Sequence, residues 1–149
     1  MCADGTTTLN SLDYVTCICP WLLIFDNRPC FCKASSSYPG TLDIICDGAY
    51  LGDEKMKSVI ANIPPTTAIG RLSLASNHLT KVPPGLTNLT KIFELRLFFN
   101  DIEIIRTGEL AINSSTLISL YLNGNGNSTT IEQASLPSKL TIIGIEYVL

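Results

Sequence analysis

The sequence predicts an α/β solenoid in which about four short units stack their strands into one parallel concave sheet behind a cysteine-containing N-terminal cap. Two observations carry this. From residue 69 onward leucine and isoleucine recur at fixed spacing before an asparagine, and all six cysteines (Cys2, Cys17, Cys19, Cys30, Cys32 and Cys46) fall in the first 46 of 149 residues. A chain of this length suits one domain. Within it, residues 1–28 read as a leader or signal-like segment and a candidate for disorder. Residues 29–68 read as a cysteine-rich cap with a short helix, and residues 69–149 as the repeats, cut short at the C-terminus.

The leader holds the longest apolar stretch, Tyr14 to Phe25, which includes Pro20. It is shorter than the roughly 20 residues a spanning helix needs, so no membrane anchor is expected. YVTCICPWLLIF is also the best candidate for the hydrophobic region of a secretory signal. It is an atypical one, because Asp4 and Asp13 accompany it and no Lys or Arg precedes it.

In the cap, Cys19, Cys30, Cys32 and Cys46 are disulfide candidates. The CxC spacing is not that of a zinc site, and the single histidine, His78, is distant in sequence, so no metal is expected. Buried free thiols are the other reading of these cysteines. Six cysteines allow 15 connectivities, among which the sequence does not choose. LDIICDG (42–48) has the alternation of a capping strand. In LGDEKMKSVIANI, Asp53 is expected to cap a helix that turns Met56, Val59 and Ile60 to one side, and Pro64 and Pro65 end it.

The units then follow as IGRLSLASNHL, IFELRLFFNDI, LISLYLNGN and LTIIGIEYV, sharing the form LxxLxLxxN. Anchored on Leu72, Leu95, Leu120 and Ile143, they step by 23, 25 and 23 residues, within the ~20–29 range of short stacked repeats. Alternate residues of a strand point to opposite faces. Leu72 and Leu74, Leu95 and Leu97, and Leu120 and Leu122 therefore turn inward. Asn77, Asn100 and Asn125 end the strands, where an amide can both donate to and accept from turning backbone, and stacking makes them an asparagine ladder. Val148 holds the matching place in the fourth unit, so the ladder is expected to stop at three. The connecting segments return Leu79, Val82, Leu86, Leu89 and Ile92, and then Ile102, Ile105, Leu110 and Ile112, to the interior, with Pro83, Pro84 and Gly85 shaping a turn. No single unit can bury its own apolar side, so stability must come from stacking.

LTKVPPGLTNLTKIFELRLFFN resembles the leucine-rich repeat family. PCFC, then a cysteine on the next strand, then LGDEKM and a helix before the first repeat, is similar to a group of arthropod extracellular leucine-rich repeat proteins. That group includes proteins similar to the non-catalytic subunit of decapod shrimp luciferase. The resemblance implies binding through the concave sheet and no light-emitting chemistry.

The outward positions form three columns: Arg71, Glu94, Ser119 and Ile142; Ser73, Arg96, Tyr121 and Gly144; Ala75, Phe98, Asn123 and Glu146. Arginine with aromatic residues makes the commonest interface anchors. Arg71, Ser73, Glu94, Arg96, Phe98, Tyr121 and Asn123 are therefore the expected partner-binding residues. The competing reading makes Arg71, Glu94 and Arg96 ordinary surface pairs and packs Phe98 on Tyr121.

Three sequons, Asn88 in NLT, Asn113 in NSS and Asn127 in NST, fall in connecting segments and are expected to carry glycans if the chain is secreted. A net charge of -3 with 15% charged residues offers no basic patch for nucleic acid. No catalytic residue or cofactor is expected: GxSxG, HExxH and phosphate-loop motifs are missing, and GNGN (124–127) lacks the lysine and helix of a phosphate loop. The function expected is non-enzymatic, extracellular binding of a protein partner. The alternatives are an accessory subunit of a secreted enzyme complex and an intracellular scaffold with reduced cysteines. IIGIEYVL leaves the last core layer uncapped, so a fragment or a dimer through that end is expected.

Overall fold

A computed structural model of the chain describes residues 8–11, 14–17, 19, 29–106, 108–110, 116–126, 129–132 and 140–143. Eight strands form one sheet. In sheet order they are β1 (Thr8–Ser11), β2 (Tyr14–Cys17), β3 (Phe31–Ala34), β4 (Leu42–Ile45), β5 (Ala68–Ser73), β6 (Lys91–Arg96), β8 (Ser119–Tyr121) and β10 (Thr141–Ile143). The first four pair antiparallel, and every pairing from β4 onward is parallel. A two-stranded parallel sheet, β7 (Ile104–Ile105) with β9 (Thr130–Ile131), joins two connecting segments. The architecture is mixed α/β with one α-helix, α1 (Gly52–Asn62), among the described residues.

Parallel strands need a crossover between them, and α1 supplies the first, from β4 to β5. Its Met56, Val59 and Ile60 are buried, as their spacing requires. The helix stops at Asn62 because Ile63 precedes Pro64 and takes extended backbone. Its start departs from expectation. Asp53 makes no cap: Leu51 occupies that position without a side-chain bond. The Asp53 carboxylate instead accepts from Thr80 N (3.0 Å) and Thr80 Oγ1 (2.5 Å), tying the helix to the next connecting segment.

Ile44, Leu72, Leu95 and Leu120 lie side by side across four strands and are fully buried. Leu74, Leu97 and Leu122 form a second buried row just past the strand ends. Leu79, Val82, Leu86, Leu89, Ile92, Ile102, Ile105 and Leu110 complete the interior; Ile112 lies outside the described residues. Burying each such side chain contributes roughly 1.5–3 kcal/mol. After Pro84, Gly85 takes φ +96, a conformation that favours glycine, and opens a 3-10 turn at Leu86–Asn88.

The fourth strand sits one residue from its expected register. Thr141, not Ile142, stands beside Ser119, and Ile142 stands beside Leu120. Ile142 packs partly buried against the core, so the last step is 22 residues rather than 23. LTIIGI contains two overlapping apolar frames, and packing against Leu120 selects the earlier one. Gly144, Glu146 and Val148 lie outside the described residues, as does the rest of the C-terminal end.

Among the described residues two disulfides close the N-terminal part, Cys19–Cys32 and Cys30–Cys46. The second joins neighbouring antiparallel strands one pair beyond Phe31 and Ile45. The first, with the β1–β2 hairpin, places part of the segment read as a leader on the same sheet as the cap. No helix among the described residues is long and apolar enough to cross a membrane.

Candidate functional site

Asparagine geometry fixes the edge from which the outer face is built. Asn77 Nδ2 donates to Cys46 O (2.8 Å), Ala75 O (2.9 Å) and Leu74 O (3.2 Å), while its Oδ1 accepts from Leu51 N. Asn100 Oδ1 accepts from Asn77 N (2.9 Å) and Leu79 N (3.1 Å), and its Nδ2 donates to Leu97 O and Leu74 O. Asn125 repeats this with Ile102 N, Leu97 O and Leu122 O. Each buried amide thus satisfies backbone groups of its own turn and of the preceding one. Strand ends are held at fixed positions, and the outward side chains with them.

The outward columns are longer than the repeats alone implied. The first runs Lys33, Asp43, Arg71, Glu94, Ser119, Thr141, and the second Phe31, Ile45, Ser73, Arg96, Tyr121. In the first, Arg71 Nε donates to Glu94 Oε2 at 2.5 Å, and the same oxygen accepts from Arg96 Nε at 2.7 Å. Arg71 also stands 3.6 Å from Asp43 Oδ2. Burial pulls the Arg71 guanidinium pKa down, but the hydrogen bond and charge of Glu94 outweigh it, and the net direction is up. Arg71 therefore stays charged. Arg96 lies over the Tyr121 ring, 5.2 Å from its centroid, a cation–π contact.

This arrangement settles the relation among the expected contact residues. Arg71, Glu94 and Arg96 are linked through one carboxylate that is 7% exposed, beyond the reach of a simple solvated pair. Glu94 is a buried brace, and Arg96 with Tyr121 remains partly open to solvent. Ser73 is not available to a partner. It is buried, and its hydroxyl donates to Asp47 Oδ1 at 2.6 Å, an oxygen that also accepts from Ala75 N. Phe98 packs edge-on against Phe99 (5.5 Å between centroids), and Asn123 is exposed in the turn after β8.

Two contributors were not visible in the repeat pattern. Asp43 lies on the cap strand, and its Oδ1 is buried with no hydrogen-bond partner among the described residues. Tyr38, in the β3–β4 turn, stacks on Phe93 at 5.1 Å. Burial pushes the Tyr38 phenol pKa up, Glu94 adds to this and Arg71 opposes it. The β3–β4 turn thus brings a second tyrosine close to the charged row. The sequence signal for Asp43 is the offset of 28 residues that places it level with Arg71; Tyr38 has none.

Elsewhere, His78 has two neighbours that its sequence position did not suggest. Its Nδ1 lies 3.7 Å from Asp101 Oδ2, and its ring lies 5.7 Å from that of Tyr50. Both members of the ion pair are about two-thirds exposed, so this is a solvated contact. No group of three or more His, Cys, Asp or Glu among the described residues is placed to hold a metal ion. Asn88 is exposed; Asn113 and Asn127 lie outside the described residues.

No family model matches the chain, and neither does any curated protein or solved structure.

Proposed function

We propose that this chain is an extracellular leucine-rich repeat solenoid, without enzymatic activity, that binds a protein partner through the outer face of its parallel sheet. The observation that carries the reading is the Arg96–Tyr121 pair, held on adjacent strands and backed by the buried Glu94. Arginine and tyrosine are the side chains on which interfaces most often depend, and a guanidinium already oriented loses less entropy on binding. The steps of 23 and 25 residues, the leucine rows and the asparagine bonds support the repeat assignment. Two disulfides are at home in an oxidising compartment.

The test is capture from the extracellular fluid of the source organism, comparing the native chain with the Arg96→Ala, Tyr121→Ala double variant. Losing two interface anchors at about 1–2 kcal/mol each weakens binding roughly 30- to 1000-fold. The expected result is a discrete protein retained by the native chain and lost by the variant, with matching thermal unfolding curves. Retention of the same protein by both contradicts the reading.

A further inference from the structure

A groove of about 350 Å3 lies between α1 and the 3-10 turn of the first connecting segment. Its lining includes Lys57 and Ile60 from the helix and Pro65, Pro84, Gly85 and Asn88 from the segments that follow. Asn88 is the first residue of the Asn88-Leu89-Thr90 sequon. It is exposed, and its side-chain amide makes no hydrogen bond among the described residues.

The root of this sequon is held rigidly. Asn88 N donates to Gly85 O at 3.0 Å, Leu89 is buried, and both the backbone N–H and the hydroxyl of Thr90 donate to Pro65 O, at 3.1 and 2.9 Å. Pro65 is itself a wall of the groove. Anything attached to Asn88 Nδ2 therefore begins beside an apolar trough, at high effective concentration. The volume falls at the lower end of small-molecule sites, about 300–1,000 Å3. Pro65 and Pro84, both exposed, offer the C–H surface that suits a sugar's apolar face and acetamide methyl, and the exposed Lys57 ammonium is a donor for an acetamide carbonyl.

We propose that Asn88 carries an N-linked glycan whose first N-acetylglucosamine lies in this groove and forms part of the packed structure. The inference rests on the extracellular reading above. The attachment takes a polyprenyl-diphosphate-linked oligosaccharide as donor. Asn88 Nδ2 forms a bond to C1 of the sugar as the C1–O bond to diphosphate breaks. The amide loses one proton, and the diphosphate leaves with the bonding electrons. The attached sugar then removes from water the apolar surface between the helix and the turn.

The test uses the full chain secreted from a eukaryotic host, with peptide mapping for occupancy and an endoglycosidase to trim each glycan to one sugar. Asn88 should be occupied. The trimmed protein should show nuclear Overhauser contacts between the acetamide methyl of the Asn88-linked sugar and the side chains of Pro65 and Pro84. Asn88→Gln should lower the melting temperature by several degrees relative to the native glycoprotein. Asn88 unmodified on a secreted chain that carries sugar at Asn113 or Asn127 overturns the proposal and leaves the extracellular reading standing. A chain retained in the cell with all three sequons bare overturns both. Asn88 occupied, with no contacts to Pro65 or Pro84 in the trimmed wild-type protein, overturns the placement of the sugar in the groove alone.

Discussion

Asn100 and Tyr38 show how single side chains set the terms for the rest of the molecule. Asn100 is 4% exposed and bonds backbone groups of two successive turns, so Asn100→Ala strands the N–H groups of Asn77 and Leu79 and the carbonyl of Leu97. The expected cost is about 3 kcal/mol, measured by urea unfolding, since each buried group left unpaired costs roughly 1–3 kcal/mol. Asn100→Asp keeps the acceptor but loses the donors and brings a charge to two carbonyls, so it should not rescue. Tyr38 makes a prediction in pH. Its folded pKa is raised above 10, chiefly by burial. The neutral phenol is therefore the form the fold prefers. The stability tied to that preference is fully present below the unfolded pKa of about 10 and is lost as pH rises through the folded value. Tyr38→Phe cannot ionise, so the variant should gain stability relative to the native chain as pH rises past 10. A constant difference between pH 8 and 11 would count against burial of the phenol.

At the scale of elements, the sequence was most legible where period and chemistry coincide. Leucines at alternate places before an asparagine specify strand, inward face and turn together, and Leu72, Leu95 and Leu120 stand side by side as their spacing required. Legibility failed where two choices had equal local support. The fourth strand offered Ile142 and Ile143 as equivalent anchors, and only contact with Leu120 separates them. Asp53 suited a helix cap, yet a partner 27 residues away in Thr80 competes for its carboxylate. The Tyr38–Phe93 stack and the β7–β9 pair are long-range contacts with no sequence period to announce them. Disulfide pairing belongs to the same class, because strand register decides which cysteines meet. Cys30–Cys46 closes a separation of 16 residues, and replacing both with serine is expected to cost about 3 kcal/mol by the loop-entropy argument. Chemical denaturation of the double serine variant measures this, and a loss under about 0.5 kcal/mol would show that strand pairing and the Cys19–Cys32 bridge hold the cap without it.

For the whole molecule, one division of labour follows from the sheet. Its inner face carries leucine and isoleucine against α1 and the connecting segments. Its outer face carries Asp43, Arg71 and Glu94 alternating in charge across three strands, with Arg96 joined to them through Glu94 and with Tyr38 and Tyr121 at the borders. With so few charged residues in the chain, four of them placed in one network is a concentrated use of a small supply. A charge-alternating row with aromatic borders discriminates among partners by complementarity, since a like charge placed opposite it is repelled. The central proposal is that this face receives a protein. The most direct measurement places a photo-crosslinking amino acid at Ser119, beside Glu94 on the outer face, and in a second protein at Ser58, exposed on α1. After irradiation in the native extracellular fluid, the expected result is one discrete adduct from position 119 and none of the same mass from position 58. The same adduct from both positions, or from position 58 alone, would contradict binding through the outer face.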